Sequence, residues 1–177
     1  MTSTQEASMV VPDFGDDDTD RKMCFIASKG TLDMVYPSLV MANAALGEGI
    51  ETHIFFTFWG MDIINKATQD DLQFTWLGNT AMHPPGKKMH MPQGLAGLPG
   101  MTAMATKMMK KQIAEQDVPE VPDFVQMLAD SGAQLWACRM SADMMGLTMD
   151  DFVDGVVDII SATDFIELSD GAQVIFT

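Results

Sequence analysis

Lys22-Met23-Cys24-Phe25-Ile26-Ala27-Ser28 and Thr52-His53-Ile54-Phe55-Phe56-Thr57-Phe58 are two short apolar runs, and what lies between them decides the fold. The second run is aromatic and continuous enough to be buried on both faces, as strands inside a parallel sheet are. Lys29-Gly30-Thr31 reads as a turn and Asp33 as an N-cap, so residues 34–47 are expected to be helical and to stop at Gly47 or Gly49. Pro37 falls in the first turn of that helix, where proline is better tolerated than further in. Strand, helix and strand over about 35 residues form a βαβ unit, which implies a largely parallel sheet with a right-handed crossover.

The same reading carries downstream. A helix is expected after Gly60. Pro84-Pro85-Gly86, Pro92, Gly94, Gly97 and Pro99-Gly100 break up residues 72–100, and 79–100 should be irregular. A loop of that length in a compact domain is usually functional or mobile. Helical patterning resumes over Met101–Gln116, with Met101, Met104, Ala105 and Met108 on one side and Lys107, Lys110 and Lys111 on the other. A short helix over 122–131 precedes a strand at Leu135–Cys138, and Ser141 reads as the next helix start. Gly155–Ile159 and Gln173–Thr177 supply two more strands around a helix near 161–169. The expectation is one α/β domain over 21–177: three layers, with an open, mainly parallel sheet of about five strands and helices on both faces. Residues 1–20, with Asp13, Asp16, Asp17, Asp18 and Asp20, read as an acidic, mobile leader rather than a secretory signal.

Composition narrows the function. The net charge of -15 argues against nucleic acid, whose phosphates call for clustered Lys and Arg. No apolar run approaches the ~20 residues of a membrane span. Two distant cysteines make neither a disulfide framework nor a zinc site, which fits a reducing cytoplasm. There is no P-loop, no GxGxxG after the first strand and no GxSxG elbow. No metal or cofactor is expected. Met82, His83, Met89, His90 and Met91 include soft copper(I) ligands but lack a fixed spacing. His53, inside a strand, reads as a satisfied core or sheet-end histidine.

Cys138 is the strongest chemical candidate. It lies where a strand ends and a helix begins, the edge at which open α/β sheets bind ligands. Arg139 beside it and the helix start would both favour thiolate over thiol. Buried cysteines also pack without reacting, and position alone leaves both readings open. Cys24, within the first strand, reads as a core residue. The stretch between Asp71 and Glu115 holds five lysines and no acid, which reads either as a solvated face or as a funnel for a small anion.

Three stretches together resemble the DsrE/DsrF-like sulfur-relay family, in its branch labelled peroxiredoxin-like. They are Met41–Ala45 with Phe55–Gly60, Leu98–Lys111, and Ala137–Ser141 with Asp143–Gly146. The resemblance implies a flavodoxin-like fold, a homo-oligomer and sulfane sulfur carried on the position of Cys138. Asp158-Ile159-Ile160-Ser161 departs from it, standing where the family commonly has a glycine pair, and the acidic leader is outside the pattern. With it, the expected function is a cytoplasmic sulfur carrier or sulfurtransferase that holds sulfur on Cys138 as persulfide or thiosulfonate. Arg139, Lys107, Lys111 and Gly60 are expected to contact substrate. Partners would be other sulfur-relay proteins and small anionic sulfur compounds. The alternatives are a non-catalytic oligomeric module for a small anion or nucleotide, and a weaker third, a thiol peroxidase, for which Cys24 is poorly placed as resolving partner. Methionines 101, 104, 108, 109, 144 and 145 exceed what one small core is expected to absorb, which places this helix or the loop before it at a subunit contact.

Overall fold

A computed structural model describes residues 21–75, 77 and 92–177. The leader 1–20 and most of the Pro/Gly-rich stretch, with its methionines and histidines, lie outside the described residues, as do the expectations made for them. Strands β1 (Lys22–Ala27), β2 (Glu51–Phe56), β3 (Gln134–Cys138), β4 (Val156–Ile160) and β5 (Gln173–Phe176) form one sheet in the order β4-β3-β2-β1-β5. Every neighbouring pair is parallel. The helices are α1 (Leu32–Gly47), α2 (Gln93–Ala96), α3 (Met101–Ala114), α4 (Val121–Asp130), α5 (Arg139–Met145) and α6 (Ala162–Leu168). The chain is thus the α/β protein with helices on both faces that its sequence implies.

The two helical layers are unequal, and the strand order explains why. β1 to β4 step in one direction across the sheet, so right-handed crossovers put α1, α3, α4 and α5 on one face. Only the connection from β4 to β5 steps back past β1, and α6 lands on the opposite face. Side-chain alternation divides the core accordingly. Phe25, Ile54, Phe56 and Leu135 meet Val35, Leu39, Phe124 and Leu128 in the larger cluster. Cys24, Phe55, Trp136, Cys138 and Ile160 meet Phe165 and Leu168 of α6 in the smaller one. Phe165 stacks on Phe55 with ring centroids 4.5 Å apart. Ile166, Val174 and Phe176 remain exposed.

Several local expectations are corrected. α1 starts at Leu32 with Thr31, not Asp33, as N-cap, so Pro37 sits beyond the first turn and removes one helical N–H. Among the described residues 61–75 there is no α-helix; 3₁₀ turns run Phe58–Ile63 and Gln69–Asp71 instead. A Cβ on Gly60 would stand 2.0 Å from the carbonyl oxygen of Ala27, so the chain lies flush against the end of β1 there. α3 buries Ala105 with Met101, Met108 and Met109 beside it, but Met104 faces solvent. Met145 also packs on the core, leaving only Met104 and Met144 exposed of the six methionines assigned to a contact.

Candidate functional site

Parallel strands end at a common edge, and here the register does the positioning. Phe56 pairs with Ala137, so the next residues, Thr57 and Cys138, stand side by side. Cys138 closes β3 and serves as N-cap of α5, which therefore begins at Arg139, two residues before the expected Ser141. Gly146, with φ 68°, ends that helix in the left-handed conformation. The first turn folds Met140 and Ser141 back over the cysteine.

Cys138 is 4% exposed. Burial is the largest influence on its thiol and pushes the pKa up. Hydrogen bonds from the Thr57 hydroxyl, from the N–H and hydroxyl of Ser141 and from the N–H of Met140 together outweigh burial and hold it below the ordinary thiol value. Ser141 is itself fully buried; its Oγ accepts the Phe58 N–H at 2.9 Å and lies 3.2 Å from Thr57 Oγ1. Phe58 has a φ of 47°, a region costly for an aromatic residue, and the Ser141 hydroxyl holds its amide in place.

Cys24 shares the same apolar cluster and is driven the other way. With no exposure, its thiol is pushed up to about 11 by burial, with Lys22 lowering and Glu51 raising it by smaller amounts. The two cysteines are also too far apart to pair. β2 separates their strands, and Cys24 aligns through His53 with Gln134, four residues short of Cys138. Two strand spacings alone give ~9.6 Å, beyond the ~7 Å limit for Cα atoms joined by a disulfide.

No cation is among the groups that shift the Cys138 thiol. Arg139 is exposed and donates from Nη2 to the Ile159 carbonyl, with Asp164 nearby. Lys110 donates to the Asp70 carbonyl at 3.0 Å, Lys111 pairs with Glu115 at 3.6 Å, and Lys107 is exposed. The donors that lower the Cys138 pKa are the amides of the helix start, as its sequence implies, and the Thr57 and Ser141 hydroxyls, which carry no such signal in the sequence. Gly60 is buried against Ala27 and has a packing reason for being glycine. His53 lies nearer the opposite edge. The Trp136 indole donates to its Nδ1 at 3.2 Å, leaving Nε2–H to donate to Glu51 at 2.7 Å. Both ring nitrogens are satisfied. Among the described residues, no three His, Cys, Asp or Glu side chains are grouped to hold a metal ion.

Fold and site together define a parallel α/β protein with one acidified cysteine at the carboxyl edge of its sheet. Comparison with known proteins agrees with that class. The chain belongs to the DsrE/DsrF/DrsH-like family, whose model matches residues 19–176. It is 32% identical over 155 residues to the sulfur carrier protein DsrE2 of Allochromatium vinosum, covering 87% of this chain and 96% of that one. It is 26% identical over 138 residues to the uncharacterized protein YrkE of Bacillus subtilis, covering 77% of this chain and 84% of the other. The fold is similar to that of MTH1491 from Methanobacterium thermoautotrophicum, with a TM-score of 0.53, 12% identity, and coverage of 89% of this chain and 100% of that one. YchN of E. coli gives a TM-score of 0.50 at 9% identity, with coverage of 89% and 99%. No described helix is long and apolar enough to cross a membrane.

Proposed function

We propose that this protein is a cytoplasmic sulfur carrier that holds sulfane sulfur on Cys138. The observation that carries the reading is the contrast between the two cysteines. One cluster holds a thiol pulled toward thiolate at the sheet edge and a thiol kept protonated in mid-strand. The likeness to a sulfur carrier over nearly the full length of both chains supports it. The Cys138 thiolate attacks the outer sulfur of a donor persulfide. A new S–S bond forms on Sγ, the donor's S–S bond breaks, and its electron pair leaves on the donor thiolate. Tetrathionate would react alike, leaving a thiosulfonate on Cys138 and releasing thiosulfate. The partners are other sulfur-relay proteins and small anionic sulfur compounds, which Arg139, Lys107 and Lys111 would attract through the surface field.

Mass spectrometry after incubation with thiosulfate, tetrathionate or polysulfide tests this. Wild type and Cys24→Ser should gain a sulfur adduct and Cys138→Ser should not. A wild type that gains none ends the proposal. The burial of Cys138 favours a second reading, a non-catalytic oligomeric module that binds a small anion or nucleotide. Rapid alkylation of Cys138 under native conditions supports the carrier, and inertness supports the module. The carrier is proposed to be a homo-oligomer, with Ile166, Val174 and Phe176 as its exposed apolar contacts. Light scattering at micromolar concentration that gives the 19.3 kDa monomer would refute that assembly.

A further inference from the structure

We propose that the Thr57–Ser141 hydroxyl pair decides which sulfur of a loaded Cys138 is attacked, steering an incoming thiol to the outer sulfur and so to transfer. This rests on the carrier reading of Cys138 and takes it one step further, from whether sulfur is held to how it is released.

Counting hydrogens shows that the pair has one hydrogen left for a further acceptor. The Phe58 N–H can only donate, and it takes one acceptor position of Ser141 Oγ at 2.9 Å. The two hydroxyl oxygens, 3.2 Å apart, share one hydrogen between them. Whichever residue supplies that hydrogen, the hydrogen of the other is left over. Both hydroxyls act on Cys138 Sγ, which is the acceptor for it. Ser141 has no exposed surface and Thr57 is half-buried, which limits competition from water. Thr57 is held in reach by the register beside Cys138 and by its own N–H, bonded to the Ala27 carbonyl at 3.0 Å. With Ser141 donating to Thr57, a chain runs from N–H through both hydroxyls to sulfur; with Thr57 donating to Ser141, both donors converge on Ser141 Oγ, whose own hydrogen goes to sulfur, and either way the members polarise one another.

A persulfide offers two sulfurs to an attacking thiolate. Attack on the outer sulfur joins it to the acceptor, breaks the Cys138 S–S bond and leaves the electron pair on Sγ. Attack on Sγ instead forms a mixed disulfide and expels the outer sulfur as hydrosulfide. Each route makes one S–S bond and breaks one, with no other oxidant or reductant. Exchange is faster when the departing thiolate is better stabilised. The chain stabilises charge on Sγ and not on the outer sulfur, so it favours the first route.

The test uses full-length protein in a Cys24→Ser background, loaded with polysulfide, mixed with glutathione and quenched in acid. Intact mass then separates free thiol, persulfide and glutathione mixed disulfide. Thr57→Val keeps the shape and removes the hydroxyl; its ratio of mixed disulfide to free thiol should rise severalfold. Thr57→Ser keeps the hydroxyl and should restore the wild-type ratio. Thr57→Ala repeats the loss of hydroxyl without an apolar branch, should the valine variant fold poorly. If the parent protein loads and the valine, alanine and serine variants all divide as it does, this inference is overturned and the carrier survives. Partition that follows the methyl group rather than the hydroxyl overturns it too. A parent protein that takes up no sulfane sulfur removes the carrier reading and this inference with it.

Discussion

Phe165→Ala reads the one-sided cover of the sheet most directly. Phe165 is 5% exposed, stacks on Phe55 at 4.5 Å and 16°, and is the buried residue of α6. Deleting a buried ring costs about 3–5 kcal/mol, a large part of the 5–15 kcal/mol typical of a whole domain. Local lifting of α6 breaks the same contacts, so the mutation lowers the free energy of lifting by about the same amount. At tenfold per 1.4 kcal/mol, the low end of that range makes the open state about a hundredfold more frequent. Cys24 reports it: the residue has no exposure, and its thiol is pushed up to about 11, so it reacts only when the face is bared. Iodoacetamide labelling at pH 8, followed by intact mass in a Cys138→Ser background, gives the rate. Cys24 should label about a hundredfold faster in the variant while circular dichroism remains native. An unchanged rate in a folded variant would refute the argument that α6 seals this face.

Ser161→Ala removes the capping box in which Ser161 Oγ accepts the Asp164 N–H at 3.2 Å; a cost of about 1 kcal/mol should raise Cys24 labelling roughly fivefold. Gly60→Ala forces a Cβ to 2.0 Å from a backbone oxygen, and chemical denaturation should show a loss of about 3 kcal/mol; a loss below 1 would mean that the turn shifts freely. With rising pH, native labelling of Cys138 should set in below the ordinary thiol range, while Cys24 stays slow because it is reached only through opening of its face. The stability signs are opposite. The lowered Cys138 contributes above the ordinary thiol value and loses its contribution as pH falls through its folded pKa. The raised Cys24 contributes below 9.0 and loses its contribution as pH rises toward 11. The stability advantage of wild type over Cys24→Ala should therefore shrink between pH 9 and 11, and a constant difference would reject the assignment.

The strands were legible because each is a short apolar run bounded by turn residues, and the central ones carry no polar alternation to confuse the period. The unequal layers were not, because they depend on where β5 inserts, and nothing local in Gln173–Phe176 marks β1 as its partner. Phe58 and Gly60 misled for a related reason. The 3₁₀ turn there is imposed by the carbonyl of Ala27 and the hydroxyl of Ser141, one distant in sequence and the other far more so. Cys138 was legible as a strand end followed by a helix start. Its donors were less so: Thr57 and Ser141 lie 84 residues apart and meet through the register of β2 with β3. Sliding the two strands into parallel alignment and asking which residues share the ends would have found Thr57. Arg139 was the more conspicuous neighbour, but adjacency in sequence at a strand-to-helix turn points consecutive side chains apart.

The insertion of β5 beside β1 also sets an order of events during synthesis. Ser28 donates to the Thr177 carbonyl and Thr177 to the Ile26 carbonyl, so β1 waits for a strand made about 150 residues later. Until α6 and β5 leave the ribosome, β1 presents an unpaired edge and the Cys24–Phe55–Cys138 face stays bare. At 5–20 residues per second that interval lasts roughly 8–30 seconds. Cys138 joins Cys24 on that bare apolar surface only for the last roughly 2–8 seconds before the final strand closes the sheet.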